Sequence, residues 1–171
     1  MFGAAPLLDL DGTLVHLHVD WPRLRGRLGV LSIAELWEGP ADRWALVTEA
    51  ETSAALTGDP VVPVLERLGR CPSFAVITSN SSAAALAFLD RYPDIARRCT
   101  LVIGREQLGG PKTDRGRFKS AFDLCVSATA TSRGIDPVVY VGNAAYELEF
   151  AAQLGARCFS VDDLIQETSA P

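Results

Sequence analysis

The sequence predicts an α/β protein: a Rossmann-like core with a parallel sheet flanked by helices, plus a small helical cap inserted after the first strand. Three observations carry this. Short apolar runs at residues 4–8, 74–77, 100–103, 138–141 and 157–161 leave no polar face for solvent, as in strands covered on both sides. Segments with helical signals alternate with them from residue 64 onward. Between residues 15 and 65, about fifty residues lack a strand pattern, too many for a bare loop.

The elements follow in order. The run at 4–8 leads straight into Asp9-Leu10-Asp11-Gly12-Thr13, a buried strand ending at a charged loop. Asp20 precedes Trp21-Pro22, a cap with proline in the first turn of a helix. Ser32-Ile33-Ala34-Glu35 matches a capping box. Residues 42–56 are rich in Ala, Glu and Leu, with Gly58 and Pro60 beyond their end. These three helical segments make up the cap, residues 15–62; residues 1–14 and 63–171 form the core. A helix at 64–68 precedes the strand at 74–77. Ser81 or Ser82 starts a helix that stops at Tyr92, before Pro93. A long helix over 115–132 separates the next two strands. Residues 147–154 place Leu148, Ala151 and Ala152 on one helical face, closed by Gly155. Residues 166–171 read as a polar tail.

Composition narrows the function. With 171 residues, 48% hydrophobic and 22% charged, the chain suits one globular domain with a sizeable core. A net charge of −5 and no basic stripe argue against a nucleic-acid partner. No apolar stretch is long enough to span a bilayer, and Asp9 and Asp11 precede the first basic residue, Arg23, so the expectation is a cytoplasmic protein without a secretory signal or membrane partner. Cys71, Cys99, Cys125 and Cys158 are too scattered for a zinc knuckle or a redox pair and read as buried structural thiols.

In an open parallel sheet, ligands bind beyond the carboxyl ends of the strands. Asp9 and Asp11 follow the first strand, and Thr78-Ser79-Asn80 the second. The third leads through Gly109-Gly110 to Pro111-Lys112, and the fourth to Gly142-Asn143 and Glu147. Carboxylates, hydroxyls, an amide and one of only two lysines are thus expected on one edge.

At these positions Asp9-Leu10-Asp11-Gly12-Thr13-Leu14 resembles the first motif of the haloacid dehalogenase (HAD) superfamily. Thr78, Lys112 and Gly142-Asn143 with Glu147 resemble its second, third and fourth motifs. The resemblance implies a magnesium-dependent phosphate monoester hydrolase acting on a small phosphorylated metabolite. Asp9 would be the nucleophile that forms an aspartyl-phosphate, and Asp11 the acid that protonates the leaving oxygen and then activates water. Gly12 would permit the sharp turn, and Thr13 would hold the loop by side-chain hydrogen bonding. Thr78 would donate to a phosphoryl oxygen, a role open to Ser79 if the strand ends one residue later. Backbone N–H groups from Ser79 and Asn80 would assist. Lys112 would offset the anionic charge of Asp9 and phosphate, whereas Lys119 reads as solvated. Magnesium would be held by Asp9, the Asp11 carbonyl, Asn143 and Glu147.

The fourth motif departs from the usual phosphatase pattern: Asn143 replaces its first acid and Glu147 its second. That leaves two alternatives, a non-catalytic domain of this fold binding phosphate or a protein partner, and a metal-free dehalogenase. Asp11 argues against the second, because a dehalogenase has no leaving alcohol to protonate. In the cap, Arg23 and Arg27 share a helix face that reads as solvated. His16 and His18 make a poor zinc site, one of them a candidate to line the pocket, and Trp21, Trp37 and Trp44 read as cap packing. The cap is short, so open access is expected.

Overall fold

The computed structural model describes residues 5–129 and 138–169. In chain order these form β1 (Pro6–Leu8), β2 (Val15–His16), α1 (Trp21–Leu28), a 3-10 helix (Ile33–Glu38), α2 (Arg43–Thr57), β3 (Asp59–Pro60), α3 (Val62–Leu68), β4 (Phe74–Ile77), α4 (Ser82–Leu89), α5 (Pro93–Ala96), β5 (Cys99–Ile103), α6 (Arg105–Leu108), α7 (Arg115–Thr129), β6 (Val139–Gly142), α8 (Ala145–Gln153), β7 (Arg157–Ser160) and α9 (Val161–Ser169).

Five parallel strands make one sheet in the order β5-β4-β1-β6-β7, with β1 at its centre. The strands are apolar on both faces because both faces are covered. Leu8, Val76, Val139 and Val141 point to one side, where Val64, Leu68, Ala84, Phe88 and Leu164 cover them. Leu7, Ala75, Ile77 and Tyr140 point to the other, against Phe118, Phe122, Cys125 and Ala151. The α/β architecture with a flanked parallel sheet is therefore as the apolar runs predict.

The segment between β1 and α3 packs around a small cluster of its own, Leu24, Leu28, Leu36 and Val47. Its helices start where the capping residues place them. Asp20 Oδ1 accepts from Arg23 N–H at 3.0 Å, and Ser32 with Glu35 forms a capping box. α2 also turns Ala55 into the main core.

Several local expectations need correction. β2 and β3 form a two-stranded antiparallel ribbon, pairing Val15 with Pro60 and His16 with Asp59, in a region expected to lack strands. Two residues per strand are too few for a period-2 signal. The helix expected to run to Tyr92 ends at Leu89, and Pro93 opens α5 as its first helical residue. Val161 and residues 166–169 belong to α9 rather than to a strand and a polar tail. Ser160 and Asp163 start it reciprocally: Ser160 N–H donates to Asp163 Oδ2 at 3.0 Å, and Asp163 N–H to Ser160 Oγ at 3.1 Å. Residue 4 of the first predicted strand, residues 130–132 of the predicted long helix and residues 170–171 lie outside the described residues. Among the described residues, no helix is long and apolar enough to cross a membrane.

Candidate active site

The chain leaves β1 toward β4 on one side and later returns to β6 on the other, so the topological switch lies between β1 and β6. Asp9 stands there, its N–H donating to Val141 O at 3.0 Å. Lys112 Nζ lies 2.6 Å from Asp9 Oδ1 and 2.9 Å from Glu147 Oε1, with the lysine side chain wholly buried. Glu147 has further partners: Tyr140 donates to Oε2 and Tyr146 to Oε1, each at 3.0 Å. A Cβ on Gly142 would stand 2.9 Å from Glu147 Oε2, so that glycine provides the room for this acid. Burial pushes the Asp9 carboxyl up to about 6; Lys112 pulls it down, while the Glu147 charge adds to the rise. Tyr140 and Tyr146 are both raised, first by burial and then by Glu147.

Asp11 lies half-buried beyond the turn, where Oδ1 accepts from Leu17 N–H at 2.8 Å. Burial raises its carboxyl, opposed by that N–H and by His16 and His18. Gly12 has φ +73°, and a Cβ there would collide with the Asn143 amide. A left-handed turn and a close approach thus both demand glycine. Thr13 Oγ1 is buried without a hydrogen-bond partner among the described residues, so the expected loop-holding bond is not made. The loop is held instead by main-chain bonds, Gly12 N–H to Val15 O at 2.8 Å and Leu14 N–H to Leu10 O at 2.8 Å.

The donor set can be tested against magnesium. Among the described residues, no three His, Cys, Asp or Glu side chains converge as ligands. Glu147 does not fit as a direct ligand, because Lys112 and two tyrosines occupy its oxygens. Magnesium needs only one or two protein carboxylates when phosphate and water complete its shell. The Asp9 carboxylate, the Asp11 carbonyl and the Asn143 amide oxygen are donors of the kind magnesium takes, with one negative charge fewer than an acid at 143 would give.

The loop after β4 forms a second network. Thr78 Oγ1 donates to Asn80 Oδ1 at 3.0 Å and accepts from Asn80 N–H at 3.1 Å, fully buried. Asn80 Nδ2 and Ser81 N–H donate to Glu51 of α2 at 3.2 and 2.9 Å. Arg105 Nη1 donates to both Glu51 oxygens at 2.9 and 3.0 Å, and Nη2 to Thr48 Oγ1 at 2.9 Å. Its guanidinium lies over the Trp44 ring, 4.3 Å from the centroid. Ser79, by contrast, is exposed. Glu51, Arg105, Tyr140 and Tyr146 join the site without a motif of their own in the sequence. Tyr146 adjoins Glu147 and was the most accessible of these; nothing local marks Glu51 or Arg105 as paired across 54 residues.

A cavity of about 240 Å³ is lined by Lys112 of the first network, by Asn80, Glu51 and Arg105 of the second, and by Ser79, Trp21, Trp37 and Trp44; Asp9 and Asp11 are not in its lining. The tryptophans thus face a cavity as well as packing against one another and the small cluster. Neither histidine lines this cavity. His18, Arg23 and Arg27 border a separate groove between α1 and α2, and His18 Nε2 meets Asp59 Oδ2 at 2.7 Å on the surface.

No protein-family profile and no curated protein sequence matches the chain. Solved structures do. A protein described as a phosphoglycolate phosphatase from Lactobacillus plantarum aligns at TM-score 0.64 and 14% identity, covering 96% of this chain and 89% of that one. A dehalogenase aligns at TM-score 0.58 and 20% identity, covering 98% and 87%. The HAD-hydrolase YfnB from Bacillus subtilis, bound to magnesium, aligns at TM-score 0.56 and 11% identity, covering 91% and 86%. The chain has the HAD-superfamily fold.

Proposed function

We propose that the protein is a phosphate monoester hydrolase in which Asp9 attacks phosphorus. The observation that carries this is the buried Asp9–Lys112–Glu147 arrangement at the switch point, with Asp11 two residues along the same loop. Asp9 is held at 2.6 Å from a cation, which orients its carboxylate and offsets the charge of an incoming phosphoryl group. The Asp9–phosphorus bond forms as the ester P–O bond breaks, and the proton on Asp11 passes to the departing alkoxide. Asp11 then takes a proton from water as that water attacks phosphorus, releasing phosphate and restoring Asp9. The raised carboxyl of Asp11 suits a group that must carry a proton in the first half and accept one in the second. Magnesium held by Asp9, the Asp11 carbonyl and Asn143 would add charge stabilisation at the phosphoryl oxygens. Glu147 is the positioning partner of Lys112. In this reading Ser79, exposed on the cavity, supplies the hydroxyl for phosphate, and Thr78, buried against Asn80, holds the loop. In this reading the core and the 15–62 cap act together on a small phosphorylated metabolite.

The test is hydrolysis of a generic aryl phosphate with and without magnesium, beside an Asp9→Asn variant. Magnesium-dependent turnover that vanishes in the variant is the expected result. No turnover across a broad phosphate panel would favour a binding domain of the same fold. The amide at Asn143 and the dehalogenase among the structural neighbours favour a second reading, displacement of halide by Asp9. Halide release from a 2-haloacid without added metal would establish that reading, in which Asp11 has no leaving alcohol to protonate.

A further inference from the structure

The cavity beside Lys112 is unlike one built for a charged metabolite. Its outer wall is indole: the Trp37 and Trp44 ring centroids lie 4.7 Å apart, and Trp21 borders the same space. Two cations line it. Lys112 belongs to the phosphoryl end, and Arg105 is neutralised by Glu51, which takes two of its hydrogen bonds at 2.9 and 3.0 Å. Arg105 is 4% exposed and Glu51 2%, so this charge pair is closed to a substrate anion. Of the four arginines in residues 15–62, Arg23 and Arg27 border the other groove, and neither Arg25 nor Arg43 lines this cavity. At about 240 Å³ the cavity is small. Pockets for drug-sized ligands run to roughly 300–1,000 Å³, so one ring beside a phosphoryl group fits here better than a nucleotide.

Resting on the phosphatase reading above, we infer that the leaving group of the substrate is a small, flat, uncharged aryl group received by Trp21 and Trp37, with Trp44, itself covered by the Arg105 guanidinium, backing Trp37. Stacking against indole rewards an aromatic ring beyond its buried area. A carboxylate in the same place would lose its water without gaining a free cation.

The experiment compares kcat/KM for phenyl phosphate and phosphoglycolate in wild type, Trp37→Ala and Trp37→Phe. Phenyl phosphate should be preferred about tenfold or more, the scale of one good aromatic contact. Trp37→Ala should raise KM for phenyl phosphate while leaving kcat and the phosphoglycolate constants near wild type, and Trp37→Phe should restore most of the loss. Equal or better use of phosphoglycolate, or a Trp37→Ala loss shared by both esters, overturns the inference. A second measurement separates it from the hydrolase reading: quenching of tryptophan fluorescence by phenylphosphonate, which cannot be hydrolysed. Quenching that Trp37→Ala weakens, in a protein that turns over neither ester, would sink the hydrolase reading and support the aryl site. Absence of both quenching and turnover would overturn the aryl site as well.

Discussion

Lys112 is the residue on which the candidate site turns. Its ammonium is wholly buried between two carboxylates, at 2.6 and 2.9 Å, and Asp9 keeps a raised carboxyl even so. Replacing it by methionine preserves the stem and removes the charge, leaving Asp9 and Glu147 to repel one another out of water. Loss of one partner from a buried ion pair costs about 3–5 kcal/mol. Lys112→Met should therefore unfold at much lower urea concentration than wild type. If the hydrolase reading holds, kcat should also fall by about a hundredfold or more, as when a charge-stabilising donor is removed elsewhere. Unchanged urea midpoints would show that the ammonium does not bind the two acids together.

At the scale of elements, the loop after β4 is fixed by a helix about thirty residues earlier in the chain. Glu51 on α2 accepts from Asn80, Ser81 and Arg105, and Arg105 opens α6. Arg105→Met should cost about 3–5 kcal/mol, because Glu51 would stay buried without its cation. Glu51→Leu combined with Arg105→Met should cost less than the two single losses added, and a double-mutant cycle by urea denaturation measures the difference. Strict additivity would show that the pair is not coupled. This is also where legibility ended. The five strands of the parallel sheet, the caps of α1 and the 3-10 helix, and the order of Asp9, Thr78, Lys112 and Glu147 could be read because each depends on periodicity or on a few adjacent residues. The Glu51–Arg105 pair depends on two distant segments meeting. Likewise Glu147 has the right residue type for a metal ligand, and only its tyrosine neighbours show that its oxygens are occupied.

For the molecule as a whole, burial sets the chemistry of the thiols. All four cysteines are free; Cys71 and Cys125 are buried as expected, whereas Cys99 and Cys158 are only partly buried, and burial raises each of them, Cys99 to about 11 and Cys125 to about 12. Only the thiolate reacts quickly, so a higher value means less nucleophile at pH 8. Iodoacetamide should label the native protein far more slowly than the urea-unfolded chain, with labelling of Cys125 rising in step with loss of structure. Rapid labelling of Cys125 under native conditions would show that the face of the sheet covered by α7 opens locally.

The segment between β1 and α3 is fastened at several places, two of them at its ends and its middle. The β2–β3 ribbon stitches together the points where the chain leaves and re-enters the core, and Glu51 pins the middle of the segment to the loop after β4. A roof anchored at both its hem and its span behaves as an arch rather than a flap. Molecules would then pass in and out along its flanks, past side chains that swing aside one at a time, with no lifting of the whole vault.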